Sequence, residues 1–254
     1  MFSIVEHVVL FKLNDVDSGK INSMVNGINE LVNLNQVLHL SCGSIHRLSS
    51  TTASDFTHVL HSRYKSKEDL NAYAIHPDHV RVVKESESIR EDIMAVDWIA
   101  DQVPETIAPP PGSIGKITLL KVKENVTEEV KLEIMEVIKE KFQGIDQITT
   151  VGENFSPARA KGFSVGSISY FRDLGKIEAV EDQMKLQKEK IREYIDDTIV
   201  VEFVRINVNE FIDVVIDAPL LQCVRAKMYS TKNFQIINSG FPAKLDIDFL
   251  STSV

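Results

Sequence analysis

The chain is poor in cysteine, has a single tryptophan and no long apolar run, and carries no histidine beyond residue 79. Each scarcity excludes something. Two cysteines, Cys42 and Cys223, far apart in 254 residues, make neither a disulfide framework nor a zinc-ligand pattern and suit a reducing compartment. Without roughly 18 consecutive apolar residues no membrane-spanning helix is expected, and because the N-terminus runs directly into a strand pattern, no signal or transit peptide is expected either. Positive charge is also short: 28 Lys and Arg stand against 37 Asp and Glu, a net charge of −9. Counterion release from phosphates would then contribute little, so a nucleic-acid role is not expected.

The absence of histidine after His79 is informative because the pattern before it occurs twice. Val5-Glu6-His7-Val8-Val9-Leu10-Phe11-Lys12-Leu13 recurs as Ile114-Gly115-Lys116-Ile117-Thr118-Leu119-Leu120-Lys121-Val122. Phe56-Thr57-His58 recurs as Phe163-Ser164-Val165, and Asp92 to Trp98 as Asp197 to Phe203. A unit near 100 residues is a domain, whereas solenoid repeats run roughly 20 to 50 residues. The chain therefore divides into a histidine-bearing unit at 1–106, a proline-rich linker at 107–112, a histidine-free copy at 113–207 and a tail at 208–254.

In the first unit, alternation over Ile4 to Leu13 puts Val5, His7, Val9 and Phe11 on one strand face. Asp17 or Ser18 can cap a helix whose apolar stripe is Ile21, Met24, Val25, Ile28, Leu31 and Val32. Strands are expected over Leu38 to Leu48 and Phe56 to Tyr64, with Phe56, His58 and Leu60 on one face. Ser66 with Asp69 is a capping pair for a short helical turn, and His76-Pro77 interrupts it, since a residue before proline leaves the α region while proline suits a first helical turn. A helix restarting at Pro77 would place His79, Val82, Val83 and Ser86 on one face, and a strand from Met94 to Ile99 closes the unit. The second unit repeats this order, with Thr127 capping a helix. The fold class is α+β: two ferredoxin-like β-α-β-β-α-β repeats, each with one uncovered sheet face, packed on each other as an intramolecular dimeric α/β barrel. Ala108-Pro109-Pro110-Pro111-Gly112 between them reads as stiff and extended.

Chemistry is expected in the first unit. Histidine transfers protons near neutral pH and a tyrosine hydroxyl can hold a substrate oxygen, so Tyr73 and His79 with His7, His58 and His76 form the candidate site. The second unit has Lys116 for His7 and Val165 for His58, so the fold does not need these histidines for packing. His76 and His79 are half of a metal site that no cysteine or carboxylate cluster completes; neither metal nor cofactor is expected.

His7-Val8-Val9-Leu10-Phe11-Lys12, Phe56-Thr57-His58-Val59 and Tyr73-Ala74-Ile75-His76-Pro77-Asp78-His79-Val80 resemble the stress-responsive dimeric A/B barrel family, strongly over residues 4–101, with 113–206 similar to the degenerate second copy of tandem plant members. The resemblance implies a small-molecule-binding or stress-associated barrel without established catalysis. One branch is similar to a polyketide cyclase that closes a tetraketide by intramolecular aldol condensation; by position it implies Tyr73 and His79 as catalytic, His7 and His58 as supporting, and Met24 and Ile28 as pocket residues. A cofactor-independent monooxygenase has no motif behind it. The partners this leaves are a small apolar or polyketide-like ligand and, beyond the intrachain pseudo-dimer, a further homodimer. Cytosol is the expected compartment, with the peroxisome, used by some tandem relatives, as the alternative; the C-terminal Ser251-Thr252-Ser253-Val254 is no Ser-Lys-Leu signal.

Because the periodicity stops near Ile206, truncation at Asn209 should leave Tm nearly unchanged in a thermal melt. A drop beyond about 5 °C, equivalent to loss of about 1 to 2 kcal/mol, would show that the Phe211 to Ile216 segment is docked on the repeats.

Overall fold

The computed structural model describes residues 2–14, 18–51, 55–103, 108–140, 142 and 148–205, and the two repeats fall in one compact unit, Met1–Val208. The expectations for Asp17 and for the tail lie outside the described residues. The first repeat runs β1 (Phe2–Leu13), α1 (Ser18–Glu30), β2 (Val37–Ser44), β3 (Arg47–Ser50), β4 (His58–Tyr64), α2 (Lys67–Ala74), α3 (Pro77–Glu85) and β5 (Arg90–Val103). The second runs β6 (Ile114–Val122), α4 (Glu128–Lys139), β7 (Ile148–Glu153), β8 (Val165–Phe171), α5 (Leu174–Glu178), α6 (Glu181–Ile191) and β9 (Ile195–Val204).

The local signals act as written. Ser66 Oγ accepts from the Asp69 amide, and Thr127 Oγ1 from the Val130 amide, each satisfying a donor at a helix start. His76, held extended by the proline after it, caps α3 through its own ring, Nδ1 accepting from the Asp78 amide at 3.2 Å. Two expectations need correction. The predicted strand Leu38 to Leu48 is two strands, because the chain leaves the first sheet after Ser44 and pairs as β3 with β9 of the other repeat. The linker ends in a tight turn rather than running straight: the Ser113 amide donates to Pro110 O and Gly112 takes φ +74°, a left-handed conformation that glycine adopts without a Cβ penalty.

Both sheets are antiparallel, in the orders β2-β4-β1-β5 and β3-β9-β6-β8-β7. Alternation assigns their faces. Val5, Val9 and Phe11 pack with Met24, Ile28 and Leu31 under the helices, whereas Ile4, Val8 and Leu10 join Ile117, Leu119, Ile168, Ile199, Val201 and Phe203 in one cluster between the sheets. The uncovered faces thus cover each other. The exchange is reciprocal: the His46 amide donates to Glu202 O at 2.8 Å, and the Phe155 amide to Asp97 O at 2.9 Å.

Two interactions key the sheets together. Trp98, fully buried on β5, lies over Gly152 and Gly166, which face each other across β7 and β8; a Cβ on Gly166 would come within 2.6 Å of the indole ring. Nearby, the buried Glu6 carboxylate of β1 accepts from His61 Nε2 (2.6 Å), Arg63 Nε (3.1 Å) and, from the other repeat, Thr150 Oγ1 (2.9 Å). The Tyr170 hydroxyl donates to His61 Nδ1 at 2.6 Å, again across the repeats. Burial opposes the Glu6 charge, but Arg63 and His61 outweigh it and hold the carboxyl well below its usual range. Glu6 and Arg63 form the ion pair, while burial pushes His61 and especially His39 down, so both imidazoles stay neutral.

Two outcomes follow from this interface. Gly166→Ala must push Trp98 off its seat and should lower stability by about 1 to 3 kcal/mol, read by urea denaturation; an unchanged midpoint would show that the slot is loose. His39, 5.3 Å ring to ring from His61, also faces the charges of Arg63, Arg205 and Glu6. Its folded pKa lies below the unfolded 6.5, so the unfolded state binds the extra proton and stability is lost as pH falls below about 6.5. Unfolding free energies measured from pH 8 to 5 should fall less steeply in His39→Gln than in the parent, by up to about 1.4 kcal/mol per pH unit; parallel curves would assign the acid sensitivity elsewhere.

Candidate functional site

On the opposite face of β1, His7 points under the helices and its Nδ1 donates to Asp97 Oδ1 of β5 at 2.5 Å, both groups buried. The other carboxylate oxygen accepts from Arg159 Nη2 at 2.9 Å, so a side chain of the second repeat braces the acid of the first. Burial works to raise Asp97, but the His7 and Arg159 charges and a hydrogen bond from Ser156 hold it lowered. From His7 a column of rings leads outward: Tyr64 edge-on at 6.2 Å, Tyr73 at 5.2 Å from Tyr64, and His79 at 4.5 Å from Tyr73. Burial pushes both phenols upward.

His79 sits on α3 at the outer end of this column, half-buried. Its Nδ1 lies 2.9 Å from Ala74 O, and since a carbonyl only accepts, Nδ1 carries the hydrogen and Nε2 keeps its lone pair. Burial is the main influence lowering its pKa; the Ala74 bond opposes that, and His7, Arg159 and Arg90 add to it. The imidazole is therefore a neutral base with Nε2 as acceptor. It lines a surface cleft of about 280 Å³ together with Ala74, Val80, Val83, Lys84, Glu87 and Arg90.

The structure brings together His7, Tyr73 and His79, with Met24 and Ile28 in the same helix-side cluster as Tyr64, Tyr73 and Val82. It separates His58. That residue begins β4, four positions from Ser62, the strand partner of His7, which is roughly 13 Å along a strand; its ring bonds the Thr57 hydroxyl instead. His76 is the α3 cap. Val83, placed by helical spacing with Val82 on the inner face, is exposed, because α3 buries only Val82, with Ser86 buried just after its end. Among the described residues no group of three His, Cys, Asp or Glu is arranged to hold a metal ion.

The second repeat retains the geometry with different residues. His7 stands opposite Ser62 and Asp97, and Lys116 stands opposite Ser169 and Glu202. Lys116 Nζ bonds Glu202 Oε1 at 2.5 Å, and Arg47 of the first repeat reaches Glu202 Oε2 at 3.5 Å, mirroring Arg159 on Asp97. Sequence reasoning missed Asp97, Tyr64, Arg159 and the Glu6 network. The available signal was a charge on an otherwise apolar strand face: Glu6 among Ile4, Val8 and Leu10, and Asp97 beside Ala95.

This tandem of ferredoxin-like repeats, with its two sheets facing, defines an A/B barrel type of protein. The chain belongs to the stress responsive A/B barrel domain family, whose sequence profile matches residues 5–100 and again 114–205. It is 86% identical over 205 residues to the stress-response A/B barrel domain-containing protein DABB1 of Arabidopsis thaliana, covering 80% of this chain and 97% of that protein. To a second stress-response A/B barrel domain-containing protein of the same organism it is 65% identical over 209 residues, covering 79% of this chain and 78% of the other. A putative monooxygenase from Fusobacterium nucleatum superposes with a TM-score of 0.60 at 12% identity, over 80% of this chain and 93% of that one, a likeness of fold alone. No helix among the described residues is long and apolar enough to cross a membrane.

Proposed function

We propose that the first repeat, residues 1–106, is the ligand-binding half of a stress-associated small-molecule-binding protein, and that the second, 113–207, is its structural and charge-supplying partner. The observation that carries this is His79: its Nδ1 is anchored on Ala74 O, its Nε2 is left to accept, and its ring joins a surface cleft to the buried Tyr73–Tyr64–His7 column. Binding is favoured over turnover because the Tyr73 side chain is buried against Tyr64 and His79 rather than facing the cleft, and because burial makes its phenol a poor acid. The anchored tautomer of His79 is the one feature that favours the second reading, a polyketide cyclase-like aldol condensation with His79 as base and Tyr73 as hydroxyl contact. The free thiol of Cys42, buried and pushed up to about 12, fits the proposed cytosolic setting.

Mass spectrometry of the natively purified chain should find a co-purifying small molecule that is lost in His79→Ala. Val82→Ala, a core truncation on the same helix, should instead lower Tm while retaining the ligand. If both variants lose ligand only in proportion to lost stability, His79 is structural and the proposal fails. The cyclase reading requires in addition that His79→Ala reduce turnover of polyketide-like substrates by about 10²- to 10⁴-fold with binding intact.

A further inference from the structure

The cleft beside His79 has a chemical bias of its own. Arg90, the first residue of β5, is tied to the end of α3 by two bonds, Nη2 to Val83 O at 2.8 Å and Nε to Ser86 O at 3.3 Å. Its Nη1 makes no hydrogen bond among the described residues, which leaves a pre-positioned cationic donor on the cleft wall. Lys84 is a second cation lining the same cleft and Glu87 the one acid. The rest of the lining is Ala74, Val80, Val83 and His79, and Val80 is 50% exposed. A guanidinium held by the helix end and a lysine ammonium, with aliphatic side chains beside them, define an amphipathic anion.

We infer that the His79 cleft takes an organic carboxylate with an aliphatic body, its carboxylate on Arg90 and Lys84 and its chain over Ala74, Val80 and Val83. This rests on the reading of His79 as a ligand-site residue and adds the class of ligand. Preorganisation is the physical reason to assign the charge to Arg90: the helix carbonyls already immobilise the side chain, so little rotamer entropy remains to be lost on binding.

Octanoate and 1-octanol are the probes, titrated into the full chain while the His79 ring resonances are followed by NMR. Octanoate should bind about ten-fold or more tightly than the alcohol and shift the His79 signals. Arg90→Gln should remove that preference. Because Arg90 also bonds the end of α3, Glu87→Gln is the control that misfolding cannot imitate: removing the one acid should tighten octanoate by about two- to three-fold and leave octanol unchanged. Equal binding of acid and alcohol with His79 perturbed overturns the carboxylate assignment and leaves the ligand-site reading standing. Octanoate that binds without moving His79, or fails to bind, overturns the assignment, and the ligand-site reading then stands or falls on the co-purification result.

Discussion

Each repeat carries its helices on one face of its sheet, and a sheet that buries only one face leaves the other to find cover. Most of the architecture here answers that constraint. Ile4, Val8 and Leu10 of one sheet and Ile117, Leu119 and Phe203 of the other can be dry only if the repeats face each other, and burying them together also traps Glu6. An isolated carboxylate there would be far too costly, so it is surrounded by His61, Arg63 and Thr150, the last from the opposite repeat. Such a network adds little net stability over an apolar core of equal volume, but one missing partner would strand a buried charge. It therefore penalises every docking of the sheets except the one that brings Thr150 to Glu6 and Tyr170 to His61. Trp98 against Gly152 and Gly166 imposes the same register by shape.

The pseudo-symmetry extends to the helix side of the sheets, where one arrangement is built twice with unequal chemistry. A basic side chain on the first strand pairs with an acid on the last, and an arginine from the other repeat completes each set: His7, Asp97 and Arg159 in one, Lys116, Glu202 and Arg47 in the other. The structural task of the pair is thus met in both repeats, and only the first retains an imidazole next to a tyrosine column. The crossed arginines also mean that neither set is complete within its own repeat.

The repeat, the element order and the inward turn of His7 could be read from sequence because they rest on periodicity, which local sequence records directly. The N-caps at Ser66 and Thr127 and the break at Pro77 were legible for the same reason. The departure of β3 to the other sheet was not, since Arg47 to Ser50 is as strand-like beside β9 as beside β4 and no local signal names the partner. At the site, Tyr73 and His79 could be paired through the Pro77 break, whereas His58 was misplaced: alternation gives the face of a strand but not the position along it, and His58 lies at the far end from His7. Asp97 and Arg159 escaped because their meeting depends on the docking of two repeats, a contact between residues 62 positions apart.

A dimer of identical chains could not reach this state by the same substitutions. Replacing His7 by lysine in a homodimer replaces it in both halves, so the two sites cannot be made to differ. Joining the repeats in one chain removes that coupling. The second repeat can then accept Lys116 and Val165 while still presenting Arg159 to Asp97 and Thr150 to Glu6. Lys116, Arg159 and Thr150 together display that division: a repeat without histidine that reaches the buried Asp97 and Glu6 of its neighbour.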